Sequence, residues 1–206
     1  MSNKIYIFGY SGHSYVVIDS LEKASREVVG YFDKFKANSN PLNIEYKGDE
    51  TLVNLESIVE GNLVFPAVGD NGIREKIIQL FEKYKLKQTV IIDPNALVST
   101  KSIIGNSSFV ASGAIVNSFT KIGRGCIINS GSIVEHDCTL GDYVHVAPGA
   151  VLTGSVSLGN SVFVGANAVI NPGVVIGDNV IIGSGSVILR DIPKNTKWVG
   201  NPAKQI

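Results

Sequence analysis

The chain holds three histidines, and two of them, His136 and His145, lie in a stretch otherwise rich in glycine and aliphatic residues. Asp137 follows His136 directly. An imidazole beside a carboxylate suits general acid–base chemistry, because the carboxylate orients the ring and stabilises its protonated form. The third histidine, His13, sits in Gly9-Tyr10-Ser11-Gly12-His13-Ser14, a glycine-containing run directly after the apolar segment Lys4–Phe8. Such a turn suits a helix N-terminus, where backbone N–H groups attract anions. It is not G-x-G-x-x-G, so three readings stay open: a dinucleotide loop, a turn without ligand, and a cradle for the phosphates of another ligand. Two cysteines, Cys126 and Cys138, make no disulfide framework.

The element that must position His136 is a repeat. Stepping by six from Ile92 to Ile188 meets seventeen residues, all Ile, Val or Leu, with no insertion. A second column four places later, from Ala96 through Cys126, Cys138 and Ala150 to Ser186, is always small or β-branched. Neither a helical period nor simple alternation produces this. Six residues make a short strand plus a turn, and three such units close a triangular coil of eighteen residues, with strands about 4.8 Å apart between coils. The aliphatic anchors then point inward at every coil, and the small column lets the chain bend. Both cysteines fall in that column and are expected to fill the core. Gly154 stacks over His136, leaving room beside the imidazole and offering a backbone N–H.

The first part of the chain reads differently. Strands are expected at 4–8, 27–32 and 63–68, with a helix through Val16, Val17 and Leu21. A second helix over Ile73–Lys85 would bury Ile73, Ile77, Leu80, Phe81 and Tyr84. Alternating strands and helices imply a small parallel sheet, whose ligands bind beyond the carboxyl ends of its strands. Loops 9–14, 33–36 and 69–71 converge there. The domains are therefore 1–90, α/β and Rossmann-like, and 91–206, a parallel β-helix of hexapeptide repeats.

Composition narrows the function classes. Lys+Arg and Asp+Glu number 18 each, which gives no electrostatic case for nucleic acid. No apolar run reaches the ~18–20 residues of a membrane span, and no basic-then-apolar leader opens the chain. The expectation is a cytoplasmic protein without membrane insertion.

The segments Asn129–Cys138 and Gly141–Ala150, the Lys4-Ile5-Tyr6-Ile7-Phe8-Gly9 start, the run Phe65–Ile77 and the ending Trp198-Val199-Gly200-Asn201-Pro202-Ala203-Lys204 resemble the hexapeptide acyltransferases of the sialic acid O-acyltransferase-like subgroup. The likeness is greatest to bacterial nucleotide-4-amino-sugar N-acetyltransferases of the bacillosamine type. The resemblance implies a left-handed β-helix and a homotrimer with sites between subunits; Phe109, Phe119 and Phe163 are candidates for that interface or, alternatively, for packing against the first domain. It implies acetyl-CoA as co-substrate, a nucleotide-linked amino sugar as acceptor, and no metal. By it, His136 is the general base supported by Asp137, and His145 with the Gly154 backbone meets the acetyl thioester. His145, Ala166, Ser184, Pro202 and Lys204 would hold coenzyme A. Ser11, Gly12 and His13 would take the diphosphate, Asp33 and Lys34 the nucleoside, with Gly69, Asn71 and Asn129 also at the substrate. Relatives carry Asp-Asp where this chain has Asp33-Lys34, so the base (uracil, thymine or guanine) stays open.

Competing readings are a sugar O-acetyltransferase, which shares every motif, and a non-catalytic nucleotide-sugar scaffold, against which the His136-Asp137 pair argues. A γ-class carbonic anhydrase would need a third histidine in the helix. The first domain disfavours serine- or maltose-type acetyl transfer.

Overall fold

The computed structural model describes residues 4–206. Its first part is a five-stranded parallel sheet, β1 (Lys4–Phe8), β2 (Glu27–Phe32), β3 (Tyr46–Gly48), β4 (Leu63–Pro66) and β5 (Lys87–Gln88), in the order β3-β2-β1-β4-β5. Helices α1 (Gly12–Lys23), α2 (Leu55–Val59) and α3 (Asn71–Lys83) connect the strands. β2 and β4 flank β1 on opposite sides, so the crevice between the ends of β1 and β4 is the switch point of the sheet, where ligands of such folds bind.

The second part is the left-handed β-helix. Two-residue strands pair in parallel at a constant step of eighteen, as in Ile115↔Ile133, Lys121↔Thr139 and Ile127↔His145. Three faces result: one beginning at Ile91–Ile92, one at Leu97–Val98 and one at Ile103–Ile104. From Val110 upward the anchors are buried in one continuous core, joined by Cys126, Cys138 and Ala150 of the small column. The first coil departs from expectation. Ile92 is 41% exposed, and Val98 and Ile104 are only partly buried, because no coil lies beneath them. At the other end the step shortens, Ile182↔Trp198, and the buried Trp198 covers the core.

The small column can be polar because the neighbouring coil supplies acceptors. Ser108 Oγ donates to Gly123 O (2.9 Å), Thr120 Oγ1 to Glu135 O (2.8 Å) and Cys138 Sγ to Thr153 O (3.2 Å). These three donors each find a carbonyl fifteen residues on, while Ser132 Oγ donates to Asn129 O (2.7 Å) within its own coil.

The two parts meet through two further clusters, apart from the core inside the coil. The outward residues of the first face form a ladder, Ile91, Phe109, Ile127, His145, Phe163 and Ile181. Its first three rungs are buried against Ile5, Ile7, Val17, Ile18 and Leu21, each burial contributing roughly 2 kcal/mol. Phe109 therefore belongs to the junction within the chain, not to a face between subunits. On the other side of the sheet, Ile77, Ile78 and Phe81 pack with Tyr143 of the coil.

Helix α3 corrects another expectation. Its buried stripe is Arg74, Ile77, Ile78 and Phe81, while Ile73 is 52% exposed. The i, i+3, i+4, i+7 spacing holds, but its first position is an arginine.

Candidate functional site

His136 and Asp137 occupy the corner between strands Ile133–Val134 and Thr139–Leu140. The corner requires a left-handed residue, which Asp137 supplies (φ 59°) while its N–H donates to Ser118 O (3.1 Å). Its carboxylate turns back onto the preceding ring, with His136 Nδ1 2.9 Å from Asp137 Oδ2. The imidazole thus donates Nδ1–H and carries its lone pair on Nε2. Both side chains are more than half exposed, at 60% and 56%. One coil above, a Cβ on Gly154 would lie 2.7 Å from His136 Cε1 and 2.9 Å from Nε2. Only glycine lets the ring lie there. Ser155 N donates to His136 O (2.9 Å), while the Gly154 N–H has no acceptor among the described residues.

His145 lies on the first face of the prism, not at a corner. It is the polar rung of the outward ladder, at the place where the first domain stops covering the face. Its Nδ1 is 3.1 Å from Gly69 O, and its Nε2 is 3.1 Å from Asn129 Nδ2. A carbonyl can only accept, so Nδ1 bears the hydrogen. Burial, with Arg74 nearby, lowers the His145 pKa to about 4, so the ring is neutral near pH 7 and Nε2 accepts. Asn129 is oriented to match, its Oδ1 receiving the Ser130 N–H (2.8 Å). In this tautomer His145 is a hydrogen-bond acceptor, with no hydrogen on Nε2 to offer a developing oxyanion. His13 comes within 6.4 Å of it, ring centre to ring centre, and burial lowers its pKa to about 4 as well. The buried Nε2 of His13 has no hydrogen-bond partner among the described residues.

Gly69 and Asn71 meet the coil at this junction through Arg74, which sequence reasoning passed over. The guanidinium is fully buried and donates Nε to Gly125 O (2.6 Å) and Nη2 to Tyr143 O (3.0 Å), both on the coil. It also donates Nη1 to Gly69 O (2.9 Å) and Val68 O (3.1 Å), and Nη2 to Asn71 Oδ1 (2.8 Å). Asn71 Nδ2 in turn donates to Ser161 O (3.1 Å), so its carboxamide is committed to the domain junction. Desolvation lowers the Arg74 pKa to about 10, which leaves it charged at neutral pH. The available signal was an arginine standing in register with a buried apolar stripe.

At the carboxyl edge of the sheet, Ser11, Gly12 and His13 open α1, and Ser11 N donates to Ser14 Oγ (2.8 Å). A Cβ added to Gly12 would meet nothing within 4 Å, so the helix N-terminus faces open space beside the switch point. Asp33, beyond the end of β2, accepts the Tyr10 N–H at 2.9 Å. Lys34 is exposed and lies over the Phe35 ring at 5.4 Å. Ala166 and Ser184 stack at the corner between the first and second faces, the corner that also carries Asn129. Pro202 and Lys204 line a groove at the top of the coil with Leu189, Arg190 and Trp198. Within one chain, then, His136, Asp137 and Gly154 come together, and so do His145, Asn129, Gly69, Asn71 and His13. The first group stands at the corner between the second and third faces, the second group on the first face and at its corner with the second.

Cys126 and Cys138 are fully buried, and burial pushes the Cys126 thiol up to about 12. Neither is a nucleophile at neutral pH. Among the described residues no three His, Cys, Asp or Glu side chains group as metal ligands would.

Residues 4–81 match the family model of the PglD N-terminal domain, and residues 119–154 and 155–190 match that of the bacterial transferase hexapeptide (six repeats). The fold is similar to PerB from Caulobacter crescentus in complex with CoA and GDP-perosamine (35% identity, 98% of this chain and 97% of that chain, TM-score 0.92). It is also similar to a single-histidine variant of perosamine N-acetyltransferase from the same organism with those ligands (34% identity, 98% and 96%, TM-score 0.92). The acetyltransferase domain of PglB from Neisseria gonorrhoeae FA1090, in complex with acetyl coenzyme A, matches over 100% of both chains at 32% identity and TM-score 0.94.

Proposed function

Since the chain belongs to the hexapeptide-repeat, PglD-type family of acetyl-CoA-dependent sugar N-acetyltransferases, we propose that it acetylates the amine of a nucleotide-linked amino sugar, of the 4-amino-4,6-dideoxy class. The observation that carries the mechanism is the His136 ring lying over Gly154 with Nδ1 on Asp137. Nε2 is then the bare nitrogen, on a side chain exposed enough for an acceptor amine to approach. The amine nitrogen attacks the thioester carbonyl, a C–N bond forms, and the amine proton moves to His136 Nε2. The Gly154 N–H supports the oxyanion. When the C–S bond breaks, the imidazolium returns the proton to the departing thiolate. No covalent acyl-enzyme intermediate is needed.

A homotrimer completes the site. The second face presents a partly exposed aliphatic ladder, Ile115, Ile133, Val151, Val169 and Val187, with the more exposed Leu97 below it. His136 stands at one corner of that face, and Asn129, Ala166 and Ser184 at the other. With this face toward a threefold axis, the His136 corner of one subunit meets the Ala166 and Ser184 corner of the next. Coenzyme A would lie in that seam, reaching up to Pro202 and Lys204, and the nucleotide would lie at Ser11, Gly12, His13, Asp33 and Lys34. Among the described residues no helix is long and apolar enough to cross a membrane.

His136→Ala is expected to lower kcat by about 10²–10⁴-fold, the usual loss of a general base, with folding and assembly unchanged. Thiol release from acetyl-CoA measures it, and a near wild-type rate would refute the assignment. Offering matched amine and hydroxyl sugars in that assay separates N- from O-acetyl transfer, and thermal shifts with UDP, dTDP and GDP identify the base.

A further inference from the structure

We infer that Arg74 is a positioning residue for acetyl transfer: through the Gly69 carbonyl it fixes which nitrogen of His145 carries the hydrogen, tying the nucleotide-sugar domain to the reaction site. The inference rests on the transferase reading above. The Gly69 carbonyl receives two donors at once, Arg74 Nη1 at 2.9 Å and His145 Nδ1 at 3.1 Å. Arg74 cannot drift, because Gly125 O and Tyr143 O hold its other edge to the coil. A peptide carbonyl at a glycine turns easily when nothing holds it, since glycine tolerates most backbone angles. The guanidinium supplies that restraint.

The consequence appears one bond further on. With Nδ1–H committed to Gly69, His145 Nε2 offers a lone pair, which the Asn129 amide now occupies. In the complex that lone pair can take an N–H of the sugar amine and aim the nitrogen at the thioester. If the Gly69 carbonyl turned away, the hydrogen could move to Nε2. Donor would then face donor at Asn129, and the amine would lose its guide. The low pKa of both junction histidines agrees with a neutral pair whose tautomer, not charge, is controlled.

Long-range ¹H–¹⁵N NMR of the histidine side chains, with His145 assigned from a His145→Asn spectrum, reads the tautomer directly. Wild-type protein is expected to show Nδ1–H at His145, and Arg74→Gln to lose it. In Arg74→Gln, kcat with a nucleotide amino sugar should fall about 10–100-fold, as when the group orienting a reacting residue is removed. KM for acetyl-CoA should move less than about threefold, because ground-state binding of the donor is untouched. Arg74→Lys, which still offers a cationic donor toward Gly69, should recover part of kcat. An Nε2–H tautomer in the wild type would overturn the inference, and so would an Arg74→Gln protein that keeps both tautomer and kcat. If Arg74→Gln does not fold, the decision passes to Arg74→Lys, expected to keep Nδ1–H with a reduced kcat. Absence of turnover by the wild type on any nucleotide amino sugar would sink the transferase reading, while the tautomer shift would still judge the positioning.

Discussion

Gly154 and His136 meet closely, although they stand one coil apart. Adding one methyl at Gly154 places a carbon 2.7 Å from the imidazole, so Gly154→Ala must push the ring aside. Steady-state assays of this variant should show kcat reduced by about 10–10²-fold, part of what loss of the base would cost, with little change in melting temperature. The junction histidines also act on stability. Their folded pKa values, about 4, lie below the usual 6.5, so the unfolded chain binds more protons between those limits. Stability from this source is complete above about pH 6.5 and is lost as the pH falls toward 4, by up to about 3 kcal/mol per histidine. Melting temperatures across this range should drop more steeply than in a protein carrying His13→Asn, which removes one of the two linked groups.

At the scale of elements, the coil corners and the start of α3 carry separate loads. Asp70 caps α3, accepting the Ile73 N–H at 2.8 Å, in the turn that also presents Gly69 to Arg74. Asp70→Ala should cost about 1 kcal/mol in chemical denaturation, the usual value of an N-cap. The corners bury the two thiols, with Cys138 Sγ donating to Thr153 O and Cys126 Sγ to Gly141 O. Native protein should therefore resist alkylation by iodoacetamide and keep its activity, whereas unfolded protein should label at both cysteines. Rapid labelling of the native state, or inactivation by it, would contradict the buried, non-covalent role given to these residues.

For the whole molecule, the proposed homotrimer makes the decisive quantity how copies would meet. The second face is a ladder of branched aliphatics with Phe119, 59% exposed, at its lower edge, one coil beneath Asp137. Charge introduced in that ladder, as in Ile133→Arg, should dissociate the assembly in sedimentation velocity runs. It should also abolish turnover while the circular dichroism of the coil persists, because each chain keeps its own core but loses the second corner of its site. A monomeric wild type with full activity would defeat this arrangement.

The β-helix was legible from the sequence alone because it is a local period: each anchor and each corner residue has the same surroundings as its equivalent eighteen residues away. For the same reason the stacking of Gly154 on His136 could be counted out in advance. The parallel sheet and the loops that follow its strands could also be read, since alternation and glycine turns are local signals. The faces, however, were not written in the repeat. That Phe109 belongs to the junction, that His145 is a buried acceptor, and that Arg74 stands where an aliphatic residue was expected depend on which face the first domain covers. That choice is made by non-local packing of Ile5, Val17 and Ile18 on the coil, and no period along the chain encodes it. The sequence by itself determined the coil and the residues able to move a proton. Tertiary structure alone decided how the first domain, through one buried guanidinium, comes to hold a ring on the second.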